Sequence, residues 1–123
     1  ITPIHFHWKK MEDIINRGGG MLCMKLWKAT GDEQLSTEQF TVQIDGVCSI
    51  INPGEVLRFR PGQSISFEPY VYHTFWAEEN DCMVGEVSTV NDDVSDNRFF
   101  KSLGRFSEIE EDVPARFVLC NEY

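Results

Sequence analysis

Phe40-Thr-Val-Gln-Ile44-Asp45-Gly46-Val47-Cys-Ser-Ile-Ile51 reads as two short strands joined by a two-residue turn. Asp-Gly between β-prone runs is a hairpin signal, because both central turn residues must take positive φ. The pattern repeats outward. On the C-terminal side, Asn52-Pro-Gly-Glu55 is a turn, Val56 to Arg60 a strand and Pro61-Gly62 a second turn. Ile65 to Trp76 and Met83 to Val90 then read as further strands. On the N-terminal side, Gly31 to Thr37 is a polar loop. Met21 to Thr30 is a strand with Met21, Cys23, Lys25 and Trp27 on one face. Gly18-Gly19-Gly20 reads as a chain reversal, and Ile1 to Trp8 as an apolar strand with alternating histidines. About eight short strands with Gly/Pro turns and no long helical period imply an all-β sandwich or barrel. Near the C-terminus, Asn91 to Asn97 is a polar loop, Phe99 to Leu103 a short helical turn and Arg116 to Cys120 a final strand.

The 123 residues fit one domain, 1–123. Nine Phe, three Trp and three Tyr suffice for a real core. A net charge of −9 argues against a nucleic-acid partner or an anionic membrane surface, since both need clustered Lys and Arg. A small neutral ligand or a metal cation suits it better. Cys23, Cys48, Cys82 and Cys120 form no CxxC pair and read as free thiols in a reducing, cytoplasmic setting. No apolar run is long enough to span a bilayer, and no leader pattern is seen. The start at Ile1, running at once into His5-Phe-His7, raises the expectation that a preceding segment of a longer chain is absent.

The three histidines fall in two places. Residues two apart on a strand face the same side, so His5 and His7 present converging imidazoles suited to a divalent metal. Glu12 follows at His-x-His-x4-Glu, with glycines at 18–20; later come Pro61-Gly62, Pro69 and His73. This arrangement resembles the two cupin motifs, and makes His5, His7, Glu12 and His73 the candidate metal ligands. The second motif departs from its usual form. It reads Pro69-Tyr-Val-Tyr-His73, one residue short and without its glycine, so the chain reversal there must be made otherwise.

A register argument adds Glu86. If Ala77-Glu-Glu-Asn-Asp81 closes a hairpin between Pro69–Trp76 and Met83–Ser88, His73 lies opposite Glu86 on one face. A one-residue slip would turn Glu86 outward, leaving an exposed strand carboxylate. Lys9 and Lys10 are adjacent, so one faces in and the other out, and a bulge would blur which. An inward ammonium needs compensating carboxylates, and a surface lysine is the default for either.

The stretches His5-Phe-His7-Trp-Lys-Lys10-Met-Glu12-Asp-Ile-Ile-Asn-Arg-Gly-Gly-Gly20, His73-Thr-Phe-Trp76, Gly85-Glu86-Val-Ser-Thr-Val-Asn-Asp-Asp93 and Asp96-Asn97-Arg98-Phe99 together resemble the D-lyxose isomerases of the cupin superfamily. The resemblance implies a cupin (double-stranded β-helix, or jelly-roll) barrel and a manganese-preferring ketol-isomerase. Such an enzyme interconverts D-lyxose with D-xylulose, and often D-mannose with D-fructose. It implies metal binding by His5, His7, Glu12 and His73, and brings Lys10 inside. A further carboxylate is implied, for which Glu86 is the geometric choice and the segment Glu108 to Asp112 the rival. Lys10 and Glu86 are then the catalytic pair, with their roles exchangeable. Trp8, Phe75 and Trp76 either wall the sugar or are plain core. A homodimer follows by fold analogy. The competing readings are an iron-dependent cupin dioxygenase, with the same ligand shell but no use for an inward lysine, and a non-catalytic sugar-binding cupin.

Overall fold

The Asp45-Gly46 turn forms, with φ of 49° and 77° at its two central residues. It joins β3 (Phe40–Ile44) to β4 (Val47–Ile51) in the register Ile44↔Val47 through Phe40↔Ile51. The computed structural model describes residues 1–89, 92, 94–102, 112–114 and 116–117. The remaining strands are β1 (His5–Phe6), β2 (Glu12–Lys28), β5 (Leu57–Phe59), β6 (Ser64–Phe67), β7 (Val71–Ser88) and β8 (Arg98–Phe99). All pair antiparallel in one sheet of order β4-β3-β6-β2-β7-β1-β8, with β5 on β2. Among the described residues the protein is all-β, a sheet curled in the manner of a cupin half-barrel. Its concave side holds Ile14, Leu22, Met24, Leu26, Val42, Phe59, Ile65 and Phe67. Burying each such side chain contributes about 1.5–3 kcal/mol.

Two expected reversals are absent. Gly18 to Gly20 lie inside β2, and Ala77 to Asp81 lie inside β7. The two long strands pair from Glu12↔Ser88 to Lys28↔Val71, slipping register at Asn16/Gly18 and Gly19/Met21. The glycines permit close approach rather than a turn. A Cβ on Gly19 would sit 2.1 Å from the Asp81 carbonyl oxygen, and one on Gly20 2.2 Å from that of Asn80. Buried Asn16 fastens the bulge: its Nδ2 donates to the Gly20 and Phe59 carbonyls at 2.9 Å, and its Oδ1 accepts from Gly18 N at 3.0 Å. Within the polar run 77–81, Glu79 takes φ 73°, while Ala77 and Glu78 are held in strand by Leu22 and Met21 of β2.

Ile65 to Trp76 is not continuous. It breaks at Pro69-Tyr70, where Tyr70 takes φ 62° and so makes the reversal that a glycine would otherwise make. Ile1 to Trp8 contributes only the short β1, because the chain bends at Trp8-Lys9. The helical turn expected at Phe99 is replaced by β8, which pairs His5↔Phe99 and Phe6↔Arg98. Leu103, Glu108 to Glu111, and Val118 to Cys120 lie outside the described residues; Arg116 and Phe117 are not in a strand. Among the described residues no helix is long and apolar enough to cross a membrane.

Candidate metal centre

His5 and His73 are cross-strand partners on β1 and β7, so their side chains enter the same face of the curl. His7 follows two residues on, and Glu12 opens β2. The imidazole centroids lie 5.1 Å (His5–His7), 4.2 Å (His5–His73) and 5.6 Å (His7–His73) apart. One nitrogen from each ring falls within 4.8 Å of the others. Glu12 is buried beneath them, its carboxylate 3.1 Å from His7 Nε2 and 3.3 Å from His73 Nε2.

Each imidazole is oriented through its far nitrogen. Nδ1 meets the Pro3 carbonyl at 2.9 Å in His5, the Asp96 carbonyl at 2.5 Å in His7, and the Val71 carbonyl at 3.1 Å in His73. A carbonyl only accepts, so each Nδ1 carries the proton and each Nε2 offers a lone pair inward. Second-partner anchoring of this kind is what metal-ligating histidines show. Burial holds His73 down to about 3, with His5 adding repulsion, and burial likewise lowers His5. Both are therefore neutral near pH 7. Burial opposes ionisation of Glu12, but its close contacts with His7, His73 and the Lys10 ammonium hold its carboxyl below 4.5. Lone pairs thus face lone pairs: His7 Nε2 and Glu12 Oε2 are buried with no hydrogen-bond partner. Such a donor set fits a divalent cation, whose binding would remove the cost of leaving those atoms unpaired.

Lys10 is inside. Its Nζ lies 2.7 Å from Glu12 Oε1 and 2.9 Å from Glu86 Oε1. Burial works against the ammonium, yet the two carboxylates raise its pKa above the ordinary lysine value. Glu86 does reach the site, but not by the expected register. It pairs with Ile14, while His73 lies between Leu26 and His5. The expected hairpin does not exist, and Glu86 arrives because the β2–β7 ladder sets it two pairs along from Glu12↔Ser88, and so on the same face. The aromatic expectations shift also. Trp76 lines an outer groove with Trp27, and Trp8 donates its indole N–H to Glu33. Phe75 packs on the core. The rings beside the imidazoles are Phe99, 5.5 Å from His5, and Phe67, 4.9 Å from His73.

One residue had no role in the sequence reading. Asp96 is 2% exposed; its carboxylate accepts from the backbone N–H of Trp8, Lys9 and Lys10. With Arg98 two residues away, the sequence offers Asp96 a local partner, and only the tertiary contact reveals the main-chain donors it actually meets.

The model of the D-lyxose isomerase family matches residues 1–123. The chain belongs to that family. Among its relatives, the D-lyxose/D-mannose isomerase of Escherichia coli O157:H7 is 54% identical over 125 aligned residues, covering 100% of this chain and 55% of the relative. The D-lyxose/D-mannose isomerase of Serratia proteamaculans is 53% identical over 125 residues, with the same coverage of each. The chain spans about half the length of the curated relatives it matches.

The titration of this family member follows from the buried groups. Between pH 6.5 and about 3 the unfolded chain binds a proton at His73 that the folded chain does not, so acid favours unfolding. Glu12 acts in the same direction: its depressed pKa gives stability above 4.5 that is lost below it. The urea midpoint of the metal-free protein is expected to fall steadily from about pH 7 to about pH 4, steepest below pH 6.5. A flat midpoint would contradict the burial of neutral His73.

Proposed function

We propose that the protein is a metal-dependent aldose–ketose isomerase. In this reading it interconverts D-lyxose with D-xylulose, and D-mannose with D-fructose, through an enediol, with Mn2+ as the favoured metal. The observation that carries the reading is the ammonium of Lys10 bridging a ligand carboxylate and a free one, 2.7 Å from Glu12 and 2.9 Å from Glu86. Neither oxygen activation nor passive sugar binding has a use for that bridge. The names of the two relatives point the same way.

His5, His7, Glu12 and His73 would hold the ion. When bound, it supplies polarisation of the sugar carbonyl and of the neighbouring hydroxyl, on the order of several kcal/mol. The protein's own groups move the protons. Glu86 is half exposed, and one oxygen is held by Lys10, so its other oxygen is free to take the proton from the carbon next to the carbonyl. That carboxylate returns the proton to the adjacent carbon. Lys10, kept protonated by its two carboxylates, donates to the sugar oxygen on which charge develops and takes back the proton that the neighbouring hydroxyl gives up. This favours Lys10 as donor and Glu86 as base over the exchanged roles. Phe99 and Phe67 help exclude water from the imidazoles. A homodimer rests on fold analogy, and free Cys23, Cys48 and Cys82 suit a cytoplasmic location.

The test is a panel of aldoses assayed with manganese added, chelated and restored. Ketose should form from D-lyxose and D-mannose, stop on chelation and resume on readdition. Oxygen uptake instead would favour the dioxygenase reading, and sugar binding without conversion the non-catalytic one.

A further inference from the structure

We propose that Asp96 is the positioning residue that aims Lys10 into the site. The inference rests on the reading above, in which Lys10 acts on the sugar. Between His7 and Glu12 the chain leaves β1 and enters β2, and residues 8–10 belong to neither strand. Their N–H groups have no ladder partner. Left to itself, such a segment would place Lys9 and Lys10 by chance.

The Asp96 carboxylate removes that freedom. Its Oδ1 accepts from Trp8 N at 2.9 Å and Lys9 N at 3.0 Å, and its Oδ2 accepts from Lys10 N at 3.0 Å. Three successive N–H groups turned toward one anion form a concave nest. The chain wraps the carboxylate, so Lys9 points to solvent and Lys10 points inward. Hydrogen bonds to a buried carboxylate are charge-assisted and directional, which favours this one path of the turn. Outer groups that fix the direction of an acting side chain change activity strongly without touching substrate.

Asp96 serves the site through two separate parts. Its main-chain carbonyl accepts from His7 Nδ1, and its carboxylate holds the backbone that carries Lys10. The parts are separable by mutation. Asp96→Asn keeps the carbonyl and nearly the same shape. Its amide keeps one acceptor oxygen but turns an NH2 toward at least one of the three main-chain donors.

In the Asp96→Asn protein, manganese stoichiometry and affinity should stay within about threefold of the parent, because the His7 anchor survives. Turnover should fall about 10–100-fold with KM little changed. Hydrogen exchange should quicken at the amides of Trp8, Lys9 and Lys10 and not along the β2–β7 ladder. Turnover within about twofold of the parent, in protein whose three amides have lost protection, overturns the proposal. So does loss of manganese together with turnover, since Asp96 would then serve the ligands and not Lys10. If Asp96→Asn does not fold, the parent decides. Its three amides must be protected, and exchange at open-loop rates there refutes the nest. Failure of the underlying reading is separate: Lys10→Met would then leave the parent's turnover intact whatever Asp96→Asn does.

Discussion

Lys10→Met is expected to lower isomerase turnover by about 10²–10⁴-fold, the range for loss of a positioned acid or base. Met matches the length of the aliphatic stem and fills the same space, so packing is largely kept. What disappears is the charge. Lys10 is 5% exposed and Glu12 2%, and removing one member of a buried ion pair typically costs about 3–5 kcal/mol. Here part of that cost returns when metal is bound, because a cation also compensates Glu12. The drop in melting temperature should therefore be larger in the chelated variant than in the manganese-loaded one. Glu86→Gln is the informative companion. Glu86 is 43% exposed, so its loss should cost little stability and leave metal content near that of the parent while turnover collapses. Turnover within a few-fold of the parent for either variant would remove that residue from the chemistry.

The hairpin of β3 and β4 was legible to the residue because its register is set by local turn chemistry at Asp45-Gly46. The convergence of His5 and His7 was legible because strand parity is a local rule, and His73 joined them through its place in the second motif. The long strands were not. A polar pentapeptide at 77–81 and three glycines at 18–20 have the composition of turns, and only the long β2–β7 ladder, with Gly18 on Met83, Gly19 on Cys82, Met21 on Glu78 and Leu22 on Ala77, carries them through as strand. Glu86 was placed in the site by a register that does not occur; its true route runs through Ile14. Lys10 could not be resolved by parity, because the bend that turns it inward is held by Asp96, 86 residues away. The missing glycine of the second motif marked a backbone requirement, and Tyr70 meets it at φ 62°.

His73→Ala should abolish stable metal binding. His73 is one of three inward imidazoles, 1% exposed and in tilted ring contact with Phe67, with its Nδ1 held by Val71. Loss of an outer partner already weakens metal sites roughly 10–100-fold, and loss of a direct ligand should exceed that. Turnover should fall with occupancy and recover in part at high manganese, since His5, His7 and Glu12 remain. Stability separates two effects of the same change. Truncation leaves a cavity beside Phe67, which lowers the melting temperature of the chelated protein. It also removes the proton uptake that makes acid destabilising, so the fall of the urea midpoint below pH 6.5 should flatten. A variant that keeps one manganese per chain at parent affinity would refute the three-imidazole centre outright. A variant that loses manganese but keeps the steep acid response would leave the centre standing and move the titration to His5 or Glu12, the other two site groups with depressed pKa values.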